Sequence, residues 1–242
     1  MLPTQYSEAG CFKCHSDNMP IKGADKLSLG MSTFEKAGCY TCHSMDRWGE
    51  EYPKAGPSLY KVASKTTKDW TYRWIMEPRA FRHNTWMPHF FKKGNNSSPE
   101  DLIRTEQETL AMTEYLFAKS SDYNMEKNSL RGDPANGELL VSSLGCLGCH
   151  QIQPEPDPDY EPSLQNLRLE QGPNLIGVGS KTDKTWLFNW LKNPYTYHSG
   201  TKMPNLRLTD QEASDIASYL LLNKNCLLYT SPSPRDATLS RM

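Results

Sequence analysis

Cys39-Tyr-Thr-Cys42-His43 and Cys146-Leu-Gly-Cys149-His150 are two copies of one pentapeptide, Cys-x-x-Cys-His, and a third stands at Cys11-Phe-Lys-Cys14-His15. The pattern is that of a c-type haem attachment site, so the sequence predicts three covalently attached haem c groups. Positions i, i+3 and i+4 share one face of a helical turn. Both thiols of a motif can therefore bond one porphyrin edge while the imidazole of His15, His43 or His150 turns under the ring to ligate iron. Cysteine pairs of this spacing also serve zinc ribbons and thiol redox centres. Cys11/Cys14 and Cys39/Cys42 are close enough in sequence to make one four-cysteine zinc site. A zinc ribbon needs no His after the second Cys, however, and the third pair would lack a partner.

Outward from the second and third motifs the chain repeats itself. Gly56-Pro57-Ser-Leu59, Trp70, Trp74, Pro78 and Met87-Pro88 return as Gly172-Pro173-Asn-Leu175, Trp186, Trp190, Pro194 and Met203-Pro204, at a constant offset of 116 residues. The distance from Gly to Met is 31 residues in both copies. Val62, Ser64-Lys65-Thr66 and Lys68 match Val178, Ser180-Lys181-Thr182 and Lys184. With gaps the repeat extends to Gly30 and Gly137, each nine residues before a motif, and to Thr105–Leu116 against Thr209–Leu220. Such self-similarity marks two copies of one structural unit.

These stretches resemble class I cytochromes c over roughly residues 29 to 224. The resemblance implies an all-α fold: an N-terminal helix, the Cys-x-x-Cys-His turn, a loop to Gly-Pro, a middle helix, a Met loop and a C-terminal helix. It implies His43 and His150 as proximal ligands, with Met87 and Met203 as sixth ligands. A thioether opposite imidazole favours ferrous iron and raises the potential, which suits electron transfer. Pro88 and Pro204 stiffen the ligand loops by fixing φ. In this family the carbonyls of Pro57 and Pro173 would accept the axial His N–H and orient the ring. Trp70, Trp74, Trp186 and Trp190 are expected as pocket walls, with Trp70 and Trp186 as candidate N–H donors to a propionate. His83, His89 and His198 are expected at the surface, as are Arg79 and Arg82 unless they neutralise propionates.

Composition fits this reading. Only 37% of residues are hydrophobic and mean hydropathy is −0.70, lean for this length unless bound haem supplies apolar mass. A net charge of −1 offers no broad basic surface for nucleic acid. No apolar run approaches the roughly 18 residues of a membrane span, although association with a membrane complex stays open. No signal peptide is visible at residues 1–10. The resemblance implies haem attachment outside the cytoplasmic membrane, so a periplasmic or extracytoplasmic location and an upstream export signal are expected.

Helix punctuation is legible. Trp70/Trp74 and Trp186/Trp190 are i, i+4 pairs, and their helices should stop before Pro78 and Pro194. Ser98 or Asp101 should cap a long helix ending near Lys119, and Thr209 with Glu212 forms a capping-box pattern. Residues 154–162, where Pro alternates with Asp and Glu, are expected as an extended insert.

The first motif departs from the repeat. It has no Gly-Pro element, and Met19 lies only four residues after His15, too near to cross the porphyrin. Its sixth ligand is expected from His83, His89, Met31, Met45 or upstream sequence, or is absent. The expected domains are residues 1–28 with the first haem, 29–125 with the second and 130–225 with the third. Residues 226–242, including the odd Cys226, are read as a non-native or disordered tail. The whole reads as a triheme electron carrier between a redox protein donor and acceptor in a respiratory chain, part of a larger multihaem protein. The alternatives are a haem enzyme reducing peroxide or an oxyanion at an open first haem, and a zinc-binding interaction module.

Overall fold

The computed structural model describes residues 8, 11, 15, 20–45, 48, 54–82, 85–91, 97–152 and 172–224. Cys14, Met19, His83, the 154–162 insert and Cys226 lie outside the described residues. Helices dominate, and the β content among the described residues is two isolated bridges, Met45 with Trp48 and Val178 with Lys224. The chain divides into two compact units, residues 1–80 with 85–122, and residues 81–84 with 123–242.

In the first unit α1 (Asp25–Lys36), α2 (Cys39–Cys42), α3 (Val62–Lys65), α4 (Lys68–Met76) and α6 (Pro99–Ala118) surround one core, with α5 (Pro78–Phe81) following α4. Leu27, Gly30 and Phe34 recur at helical spacing and are the buried residues of α1. They pack on α6, where the Phe34 and Tyr115 rings sit 5.7 Å apart. Burying each such side chain contributes roughly 1.5–3 kcal/mol. Gly30 lies at the crossing, where a Cβ would run into the Ala111 carbonyl. Its place nine residues before Cys39 is thus set by how closely two backbones approach. The α6 N-terminus carries a complete capping box between Ser98 and Asp101, with Pro99 at the first helical position. α4 stops at Met76, and Pro78 opens α5 in place of continuing it.

The second unit repeats the plan with α7 (Pro134–Ser143), a 3-10 turn at Cys146–Gly148, α8 (Lys184–Lys192), α9 (Pro194–Tyr197) and α10 (Asp210–Leu220). α10 opens on the Thr209/Glu212 capping box. Gly137 takes the role of Gly30, since a Cβ there would meet the Asp215 carbonyl. The segment before α7 is packed onto this unit. The Glu126 N–H donates to Asn189 Oδ1 and the Asn189 amide returns a bond to the Glu126 carbonyl, both at 2.9 Å. The Asn128 amide also bonds the Ser214 hydroxyl.

Candidate haem-binding sites

In each Cys-x-x-Cys-His motif the His backbone N–H bonds the carbonyl of the first Cys. The His15 N–H donates to the Cys11 carbonyl at 3.0 Å, His43 to Cys39 at 3.0 Å and His150 to Cys146 at 2.9 Å. The turn brings positions i and i+4 together, as covalent attachment beside an axial imidazole requires. Burial pushes the Cys39 thiol up to about 11 and raises Cys146 as well. Among the described residues, no three His, Cys, Asp or Glu side chains cluster as a metal-ion site.

The Gly-Pro elements return to the histidines. His43 Nδ1 lies 2.7 Å from the Pro57 carbonyl oxygen and His150 Nδ1 lies 2.8 Å from that of Pro173. A carbonyl only accepts, so Nδ1 carries the proton and Nε2 keeps its lone pair for a metal. Burial lowers the His43 pKa and the Pro57 carbonyl partly opposes it, leaving the neutral, ligating form. Gly56 and Gly172 stand flat against these rings, and a Cβ on either would strike the imidazole. The neighbouring bonds Gly56 N–H to Cys42 O and Gly172 N–H to Cys149 O, both 2.8 Å, lock the two loops to their motifs.

Each unit also gathers its methionine against the same core as its first motif cysteine. Cys39, Leu59 and Met87 pack on one core cluster, and Cys146, Leu175 and Met203 on the other. The backbone N–H of Met87 donates to Thr85 Oγ1, and that of Met203 to Thr201 Oγ1, both at 3.2 Å. Trp70 and Trp186 are 8% and 4% exposed and stack on Trp74 and Trp190, with centroids 5.1 and 5.3 Å apart. The outer indoles reach the sulfurs: Trp74 Nε1–H donates to Met87 Sδ at 2.7 Å, and Trp190 Nε1–H to Met203 Sδ at 2.9 Å. Sequence reasoning treated these outer tryptophans only as walls. The constant interval from Trp to Met, thirteen residues in both copies, was the available signal.

The first motif has a different setting. Cys11 packs against the core of the first unit, as does Met31, while Met45 is fully buried within it. His89 departs from the surface placement expected of it. The residue is half-buried, and its Nε2 is shielded without a hydrogen-bond partner among the described residues. His198 is half-buried, and Arg79 is exposed.

The donor set therefore fits haem c in both units: an imidazole oriented by a carbonyl, paired cysteines on one turn, and a thioether on the same core. No helix among the described residues is long and apolar enough to cross a membrane. Comparison with curated proteins and with solved structures returns no match. The family described as Cytochrome c matches twice, over residues 27–118 and 134–224. The chain thus belongs to the cytochrome c family, as two tandem cytochrome c domains built for haem-based electron transfer.

Proposed function

We propose that this chain is a triheme c-type cytochrome passing single electrons between redox proteins in an extracytoplasmic respiratory chain. The observation that carries the reading is the duplicated imidazole-to-carbonyl bond, His43 to Pro57 and His150 to Pro173, set in each unit beside a core-packed methionine. Bound haem iron supplies a reversible one-electron couple. The protein's part is to hold both axial donors still, so that little rearrangement accompanies a change of charge. His43 and His150 serve as proximal ligands, Met87 and Met203 as sixth ligands, and the cysteine pairs Cys39/Cys42 and Cys146/Cys149 as covalent anchors. A methionine sulfur biases the couple toward the ferrous state.

The third haem belongs on Cys11, Cys14 and His15. Support comes from the shared turn, His15 N–H to Cys11 O, and from Cys11 lying on the core that also receives Cys39. The first two haems are then neighbours within one unit. Expression of the chain in a host with haem c maturation tests the count. Intact mass should exceed the apoprotein by three haems, with six cysteines in thioethers and Cys226 unmodified. Two haems or fewer after complete maturation would refute the triheme assignment.

A further inference from the structure

We infer that Met31 is the sixth ligand of the first haem, reaching it from the outer face of α1. This rests on the reading of Cys11, Cys14 and His15 as a haem site, and it goes past that reading by naming the donor opposite His15. The two domains supply the comparison. Ser28, Met31, Ser32 and Glu35 form a stripe on α1, and all four are half-buried. Their counterparts on α7, aligned on Gly30 and Gly137, are Ala135, Glu138, Leu139 and Ser142, and all four are exposed. The helix thus has its outer stripe covered only in the first domain, where the first motif precedes it. At the position of Met31 the second domain carries Glu138.

Contacts from upstream of α1 run to that stripe. Glu8 Oε2 accepts the Leu27 N–H at 3.1 Å, supplying a cap that Ala24 at the helix start does not. The Ile21 N–H donates to Ser28 Oγ at 3.2 Å. Cys11 and Met31 both pack on the core of the first unit. Three extended residues span at most about 10 Å, which keeps Cys11 near the point where Glu8 is fastened. Met31 lies one turn along α1 from Leu27, a rise of about 6 Å. Motif and methionine are thus held within reach of one porphyrin. Met45 is enclosed in the core, with its backbone paired to Trp48, and the Nε2 of His89 is shielded. Met31 instead shares the half-buried setting of Met87 and Met203 at the edge of a core. A thioether opposite His15 gives the first haem the same ligand pair as the second, so electrons pass between iron centres of similar character.

The test uses the full chain matured with haem, as parent, Met31→Leu and Met31→His. Leu conserves the volume of Met, so packing on the core is kept while the sulfur is removed. The readouts are intact mass, the ferric sulfur-to-iron charge-transfer band, and carbon monoxide binding by the reduced protein at neutral pH. Met31→Leu should keep the parent's haem mass, lose one haem's share of the band and bind carbon monoxide at one haem. Met31→His should close that iron to carbon monoxide again without restoring the band, and the affected haem should titrate at a lower potential than in the parent. A Met31→Leu variant that keeps the full band and binds no more carbon monoxide than the parent would overturn the inference. Failure of the underlying reading looks different: the parent's own mass would lack a haem, with Cys11 and Cys14 unmodified.

Discussion

Asp215 offers a test of how the second cytochrome domain is held together, independent of its iron. This carboxylate is 2% exposed and accepts three bonds: from the Asp133 N–H at 2.8 Å, the Asn136 amide at 2.7 Å and the Gln211 amide at 2.7 Å. It thereby ties the start of α7 to α10 at their crossing. Burial alone would raise its pKa, but the three donors together hold the carboxyl below its ordinary value. In Asp215→Ala the exposed Asn136 and Gln211 amides can turn to water, so the main loss is the backbone bond to a charged acceptor, about 2 kcal/mol. At 1.4 kcal/mol per tenfold, amide hydrogen exchange in α7 and α10 should then speed up by roughly 30-fold. Because the folded pKa is depressed, the stabilisation is present above the unfolded value of 3.8 and is lost as pH falls through the folded pKa. Parent and variant should therefore differ at neutral pH and converge below pH 3.8. Exchange measured by mass spectrometry on the matured chain, parent and variant at equal pH, reads both effects. A variant within about twofold of the parent at neutral pH, or a gap that survives acidification, would refute the reasoning.

In the first domain Lys68 pairs with Glu114 at 2.8 Å, and the Glu side chain is 4% exposed. Burial raises the Glu114 pKa and Lys68 opposes it, so Lys68→Met should cost about 3–5 kcal/mol at neutral pH. Part of that loss should return on acidification as Glu114 takes up a proton, visible as a melting temperature that recovers at low pH. Gly30→Ala and Gly137→Ala push a Cβ into the Ala111 and Asp215 carbonyls. Each should cost about 1–3 kcal/mol in its own domain, read as a lower denaturation midpoint. Met87→Ala and Met203→Ala should each remove a sulfur-to-iron band and lower one haem's potential; unchanged spectra in both would defeat the ligand assignment.

Much of this protein was legible because its chemistry is local or repeated. Covalent haem attachment needs two thiols and an imidazole on one turn, and five consecutive residues suffice to write that. The duplicated interval from Gly56 to Met87 and from Gly172 to Met203 exposed the two domains, since a loop that must reach a fixed point keeps its length. Caps at Ser98 and Thr209 and the stops before Pro78 and Pro194 follow from backbone hydrogen bonding within a few residues. What lay beyond the sequence depended on contacts between distant segments. Gly30 and Gly137 stood out as repeated positions, but only the crossing helices show why a side chain cannot fit. Trp70 and Trp74 are equivalent on a helical wheel, and only packing decides that the inner ring is buried while the outer one meets sulfur. His89 looks like a surface histidine, and only the folded chain shows its Nε2 shielded. Short-range geometry is set by bond lengths and spacing, which the sequence carries directly. Which ring faces core or ligand is decided by the shape of the whole fold.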